Sequence, residues 1–535
     1  MRLNELNRLI NGTLVYKTEE VLARDYSHAI ASDLMSNVML EVVDDSVLIT
    51  SLVNPQVIRA SEMMNITCIV LTCGKTVTDL MVELAKTRHI ALIQTNLTTF
   101  TACGKLHSRG LTEGPVSRAD GLHQVTSITL ESDHCNGCTH CMKSCPTEAI
   151  RVKDRRASIT AERCIDCGMC VKVCPRYAAR PMVDTLESLN DYDYNIAIPS
   201  SAFFGQFEAV KSRNHLLTAL KQIGFDDIYE EAIGAEMISY ATRKMIKEEG
   251  RPYPVISSGC PSVMKLIQIK FPNLIENVSK YRPPIEVVAN LARREAEEKY
   301  PDKNIGIFFI APCTAKISFI KESDELMDTE VDKMVAISGV YKQVLSNLKN
   351  LQDDQVEDLE KTGVMGLRWT NPGGESLALH TDKFIAVDGI DQIIDIFEKV
   401  EDEKLTEVEF IEAEACIGGC TGGSLTVENV YSARTNIKKI IDEAKEKYGE
   451  KFLNTCDNEE NLMLNRGLVY RPVLQLDADL SISLKKMEEM SRIVRDLPGI
   501  DCGVCGAPTC KAFAEDVVRG LSTEESCIVN NMDRR

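Results

Sequence analysis

Two cysteine runs, "CNGCTHCMKSCP" starting at Cys135 and "CIDCGMCVKVCP" starting at Cys164, constrain this chain more than any other feature. Each has the form C-x-x-C-x-x-C-x-x-x-C-P, a tight spacing that lets three thiolates converge from one loop on the face of a single 4Fe-4S cubane. Thiols clustered this closely inside a long chain point to metal or redox chemistry rather than to a disulfide framework. Zinc is the bland alternative, and a duplicated register of this kind fits it poorly. Accessible thiolates and cubanes oxidise readily, so a reducing, anaerobic setting is expected.

The chain has 535 residues, too many for one hydrophobic core, so several domains are expected. Its 61 basic and 80 acidic residues leave a net charge of −19, which repels phosphate backbones and argues against nucleic acid as a partner. No apolar run approaches the ~20 residues a bilayer requires, and the N-terminus has no long apolar leader segment. No membrane span is expected, and the expected location is cytoplasmic.

Hydrophobic patterning gives an α/β multidomain chain. Residues 1–115 read as a small N-terminal α/β domain, with buried strands at "VLITSL", "TCIVLT" and "HIALI". Its cysteines, Cys68, Cys73 and Cys103, lack ligand spacing and read as small buried hydrophobes. A polar linker is expected at 116–128, followed by the doubly clustered cysteine domain at 129–184. A large α/β domain follows at 190–450, with strands at "NIAIP", "YPVIS", "IGIFFIA", "MVAIS", "FIAVD" and "VEFIE". A small helical domain closes the chain at 485–535.

That last domain carries "CGVCGAPTC", giving Cys502, Cys505 and Cys510, with Cys527 as a distant fourth ligand. Small residues at Gly503, Gly506 and Ala507 let backbone amides approach bound sulfide. A third 4Fe-4S cluster and a zinc ion compete for this set. Four further cysteines follow apolar strands: Cys260 after "YPVIS", Cys313 after "IGIFFIA", and Cys416 with Cys420 after "VEFIE". The carboxyl ends of strands in α/β sheets face the crevice where ligands bind, so these thiols can share a destination. Taken singly, each would pass for a buried core residue. Gly418 and Gly419 suit a cluster loop, and Lys316 stands beside an otherwise apolar run.

The doubled runs resemble the bacterial two-cluster ferredoxins, in which the fourth cysteine of each run ligates the other cluster. That resemblance implies one 4Fe-4S cluster on Cys135, Cys138, Cys141 and Cys174, and another on Cys164, Cys167, Cys170 and Cys145. The C-terminal group resembles the single-cluster domain of Rnf B subunits and corrinoid iron–sulfur proteins. The motifs "SSGCPS", "APCTAK" and "EAEACIGGCTGG" resemble the three signatures of the iron-iron hydrogenases. The resemblance implies that Cys260, Cys313, Cys416 and Cys420 bind an H-cluster, a 4Fe-4S cubane joined through the Cys420 thiolate to a two-iron subsite bearing carbon monoxide and cyanide. Lys316 would donate to a cyanide. Residues 1–115 resemble DRTGG domains.

The departures from that family are informative. Gly259 stands where most catalytic members carry a proton-relay cysteine, and Ala311, Phe319 and Glu414 replace methionine, glutamate and methionine. Proton relay needs groups of matched pKa within hydrogen-bond reach, so slow turnover is expected, as in the sensory branch. The implied partners are dihydrogen and protons, a redox partner such as ferredoxin or a signalling protein, and hydrogenase maturation proteins. A fully catalytic ferredoxin-linked hydrogenase and a non-hydrogenase 4Fe-4S regulatory or electron-transfer protein are the alternatives.

Overall fold

A computed structural model describes residues 1–18, 21–22, 24–31, 46–63, 66–109, 111, 126–208, 210–247, 253–321, 329–456, 459–477 and 480–533. Most of the expected linker at 116–128 lies outside them. The chain divides into two compact units, Met1–His123 and Gln124–Arg535.

The first unit is built on one sheet of five strands: β1 (Thr13–Tyr16), β2 (His28–Ala31), β3 (Ser46–Thr50), β4 (Cys68–Leu71) and β5 (Ala91–Gln94). Their order is β1-β5-β4-β3-β2, with β1 antiparallel to β5 and the other pairs parallel. Every residue of β3 and β4 is buried, which is why they read as unbroken apolar runs. The edge strands β1 and β2 escape the hydrophobic pattern because they are short and only partly covered. Cys68 is fully buried, Cys103 packs on the same core, and Cys73 is exposed.

In the second unit, two antiparallel pairs frame the doubled cysteine runs: β6 (Ile128–Leu130) with β9 (Ala179–Pro181), and β7 (Ile150–Lys153) with β8 (Arg156–Ile159). The large α/β part contains two parallel sheets where the sequence suggested a single alternation. One sheet runs β11-β10-β13-β14, from β10 (Tyr194–Pro199), β11 (Asp227–Ile228), β13 (Ile305–Ala311) and β14 (Lys333–Ala336). The other runs β12-β16-β15, from β12 (Val255–Ile256), β15 (Phe384–Asp388) and β16 (Phe410–Glu414). In β13, Phe308 and Ile310 enter one core while Ile307 and Phe309 enter another on the opposite face. Helices cover both faces, so the strand lacks a polar side and its ligand-bearing residue comes only after its carboxyl end.

The ferredoxin-like segment is keyed into this body at its second cysteine loop. Ile165 is buried in the core of the β12-β16-β15 sheet. Its neighbour Asp166, fully buried, accepts a hydrogen bond from Lys265 Nζ at 2.7 Å, and its carbonyl accepts one from Thr314 Oγ1 at 2.6 Å. Lys172 Nζ reaches the Gly422 carbonyl at 2.9 Å. The C-terminal segment adds helices at Leu480–Asp496, Cys510–Val518 and Ile528–Asp533.

Candidate functional site

The carboxyl ends of β12, β13 and β16, drawn from both parallel sheets, open into one cavity of about 840 Å³. Cys260, Cys313, Cys416 and Cys420 all line it, together with Lys316 and Glu231. Cys260 stands just before the helix Pro261–Lys270, whose first position is the proline that can give up its N–H there. Cys313 links β13 to the helix Thr314–Lys321, which carries Lys316 in its first turn. Cys416 and Cys420 are separated by Gly418 and Gly419, both in left-handed conformations (φ +80° and +70°) that favour glycine. The Gly418 N–H donates to Asp388 Oδ2 at 2.7 Å, fixing this loop to the end of β15. The Cys313 and Cys420 loops also touch: Leu425 N–H donates to the Pro312 carbonyl at 2.9 Å.

Burial pushes all four thiols above their ordinary range, Cys260 to about 11. Four such thiols holding negative charge together require cationic compensation, which metal coordination supplies by deprotonating the ligand outright. Lys316 is the local cation. It forms a buried ion pair with Glu231, each side chain 6% exposed. Burial disfavours its charge, but Glu231 and the Cys420 and Cys313 thiols outweigh that and hold its pKa above the ordinary value.

Of the carboxylates that line the cavity, sequence reasoning named Glu414 but neither Glu375 nor Glu231. Ser257 Oγ donates to Glu375 Oε2 at 2.6 Å, and Glu412 accepts from the N–H groups of Gly373 and Ser376 and from Ser376 Oγ, at 2.8–2.9 Å. Glu414 is partly buried, and its solvent-inaccessible Oε2 has no hydrogen-bond partner. Burial and then the charge of Glu412 push the Glu375 carboxyl well up; burial raises Glu412 as well, opposed by the hydrogen bonds it accepts. Glu375 is therefore the member of the pair that keeps its proton. The signal available in the sequence was "NPGGES", which reads as a loop beside the cavity; the partner Ser257, distant in sequence, was not visible there. Glu231 was equally hidden, at the start of an ordinary amphipathic helix. Gly259 faces Trp369, since a Cβ there would lie 3.2 Å from the ring's Cζ3, and Phe319 is buried in an apolar core.

The other cysteine sets form three smaller cavities. One, about 370 Å³, is lined by Cys135, Cys138, Cys141 and Cys174; another, about 320 Å³, by Cys145, Cys164, Cys167 and Cys170. The fourth cysteine of each run thus lines the cavity of the other run. Cys502, Cys505, Cys510 and Cys527 line the third, about 340 Å³. Among the described residues, no group of three or more His, Cys, Asp or Glu is drawn close enough to hold a single metal ion. Each small cavity is lined by the four cysteines that a cubane needs, and the large one by four cysteines with Lys316 and Glu231 besides. Cys167 lines both its own cavity and the large one.

Residues 194–338 and 317–424 match the family model for the C-terminal domain of the iron-only hydrogenase large subunit. Residues 127–175 match a 4Fe-4S dicluster domain, 497–529 an Fe-S cluster domain and 5–108 a DRTGG domain. Iron hydrogenase 1 of Clostridium pasteurianum is 25% identical over 281 residues, covering 42% of this chain and 48% of that protein. The periplasmic Fe hydrogenase large subunit of Nitratidesulfovibrio vulgaris is 31% identical over 226 residues, covering 38% of this chain and 53% of that protein. The chain thus spans about half the length of the curated relatives it matches. A solved structure of a variant of FeFe-hydrogenase HydA1 from Chlamydomonas reinhardtii aligns with a TM-score of 0.39 at 15% identity, covering 52% of this chain and 95% of that one. Among the described residues, no helix is long and apolar enough to cross a membrane. Residues 194–424 thus match the C-terminal domain of the iron-only hydrogenase large subunit, in a chain whose other segments match a DRTGG domain, a 4Fe-4S dicluster domain and an Fe-S cluster domain.

Proposed function

We propose that this protein reacts slowly and reversibly with dihydrogen at an H-cluster held in the large cavity, that it does so as a hydrogen sensor, and that its 4Fe-4S clusters relay the electrons. The observation that carries this reading is the convergence of four cysteines, from three separate strand ends, and a buried lysine on one cavity of about 840 Å³. A cubane alone needs neither that space nor a buried ammonium group, which disfavours the cubane-only alternative.

When bound, the H-cluster supplies the chemistry that interconverts dihydrogen with two protons and two electrons. Cys260, Cys313, Cys416 and Cys420 would hold it, Cys420 serving both its cubane and its two-iron part. Lys316 Nζ is positioned as a donor to an anionic ligand and is kept charged by Glu231. The two sheets and their helices enclose the cavity and limit water. Glu375 lines the same cavity and accepts a hydrogen bond from Ser257 Oγ. At the place where a relay cysteine would stand, Gly259 has no group to titrate and lies against Trp369, and Phe319 carries no proton. Proton transfer requires an unbroken series of hydrogen-bonded groups, so these two positions interrupt delivery and keep turnover low.

The reading places the protein in a reducing cytoplasm, served by hydrogenase maturation proteins and coupled to a ferredoxin-type or signalling partner. The test is hydrogen oxidation and hydrogen–deuterium exchange by matured protein. Slow but measurable exchange is expected. Turnover as fast as that of catalytic hydrogenases would overturn the sensory reading, and no exchange by protein with a full iron complement would overturn the hydrogen reading.

A further inference from the structure

The C-terminal cysteine loop packs directly on the first cysteine loop of the dicluster segment. The Gly506 carbonyl accepts the Val152 N–H at 2.9 Å, and a Cβ on Gly506 would lie only 2.1 Å from the Val152 carbonyl oxygen. Val152 itself lines the cavity of Cys135, Cys138, Cys141 and Cys174. Gly503, between Cys502 and Cys505, lies against Met142, the residue after Cys141: a Cβ there would lie 3.0 Å from Met142 Cε. Two cluster-bearing loops therefore meet with little between them.

Polar ties hold that contact in one register. Lys143 Nζ donates to the Pro508 carbonyl at 2.6 Å and also to that of Asp501. Thr509 Oγ1 donates to Glu148 Oε1 at 2.9 Å. Arg151 grips Asp516 with two bonds, 2.7 and 3.0 Å, and Arg163 pairs with Glu515. These pairs are largely buried, and bidentate guanidinium–carboxylate contacts specify orientation as well as attraction. At the other end of the dicluster segment, Cys167 faces the large cavity. The four cavities thus succeed one another: the C-terminal set, the Cys135 set, the Cys145 set, then the large cavity.

We propose that the C-terminal cysteines hold a cubane that is the electron port of the molecule, in series with the other centres. Its partner is a low-potential, one-electron carrier protein. The carrier loses one electron and the C-terminal cluster gains it; the electron then moves inward through the Cys135 and Cys145 sets, with no bond made or broken, and outward flow is the reverse. Cys502 is the one exposed thiol among the candidate ligands, with Val504 61% and Ile500 59% exposed beside it, so this centre is open to a partner. The proposal rests on a cubane at the C-terminal set and is independent of the hydrogen chemistry.

The test uses full-length protein reconstituted anaerobically with iron and sulfide, without maturation, so it can fail or succeed whatever becomes of the hydrogen reading. Cys505→Ala is expected to lose one cluster's iron and to slow bleaching of the remaining clusters by reduced bacterial ferredoxin by an order of magnitude or more. Bleaching by dithionite, a small reductant that reaches each cluster directly, should keep its wild-type rate and shows that the rest is intact. In fully reduced wild type, electron paramagnetic resonance should show magnetic coupling between the C-terminal and Cys135 centres, lost in the variant. Equal rates with ferredoxin in both proteins, no magnetic coupling in the wild type, or a wild type without iron at the C-terminal set would each overturn the proposal.

Discussion

The large cavity and the dicluster segment both gather cysteines, by opposite means. In the dicluster segment, three ligands of each set come from one short loop, so local spacing does most of the work and only the crossed fourth ligand needs tertiary structure. In the large cavity the ligands arrive from three strand ends on two sheets, and long-range folding does nearly all of it. The difference extends to chemistry. Besides their cysteines the small cavities are walled mainly by apolar and small residues, with a single charged group on two of them, Arg176 and Asp501, whereas the large one gathers Lys316, Glu231, Glu375, Glu412 and Glu414, groups able to handle charge and protons. A site that only passes electrons needs the first kind of wall; a site that must manage protons needs the second.

The sharpest way to break that comparison is to delete one ligand from each. Cys416→Ala should abolish iron binding in the large cavity and all reaction with hydrogen, while the dicluster and C-terminal iron remain. Cys170→Ala should remove a dicluster centre and leave the large cavity able to bind its cluster. Iron analysis with electron paramagnetic resonance checks both, and loss of every cluster in either variant would show that the two regions do not assemble independently.

Next in size is the buried ion pair. Lys316→Met leaves the Glu231 carboxylate buried without its cation, which should cost about 3–5 kcal/mol in the cluster-free protein. The double variant Lys316→Met, Glu231→Gln should recover much of that loss, since an uncompensated charge is the cause. Urea denaturation measures it, and equal stability of the single variant and the wild type would contradict the burial and pairing assigned here.

Smaller still is the effect of restoring a relay group. Gly259→Cys should raise hydrogen turnover several-fold in matured protein; an unchanged rate at full cluster occupancy would show that proton delivery does not limit the reaction. The new Cβ would lie 3.2 Å from both Ser257 Oγ and Trp369 Cζ3, so the indole must yield by a few tenths of an ångström.

The smallest effect is a pH slope. Glu375 keeps its proton in the folded cluster-free protein at pH values where the unfolded chain has lost it. The folded state then binds more protons, so this group makes stability fall as pH rises above the ordinary carboxylate range. Glu375→Gln should flatten that part of the melting-temperature profile, and superimposable profiles would contradict the assignment.

What could be read in the sequence follows the same divide. The cysteine runs announced themselves because their ligands are neighbours in the chain. Strands β10 and β13 were visible as apolar runs because both of their faces are buried. The pairing of Cys260 with Cys313 and Cys416 was suggested only by strand-end position and family resemblance. The division into two sheets, the Lys316–Glu231 pair and the Ser257–Glu375 contact depend on which strands lie side by side, and β11, two residues long, is too short to show a period. Gly503 and Gly506 looked like cluster-loop glycines, yet in the fold they also allow the C-terminal loop to settle on Val152 and Met142.

Infrared spectroscopy of protein matured with the hydrogenase assembly proteins tests most directly whether the large cavity holds more than a cubane. The account predicts sharp bands from iron-bound carbon monoxide and cyanide, with the cyanide bands shifted in Lys316→Met. Matured protein with a full complement of 4Fe-4S iron and no such bands would contradict it.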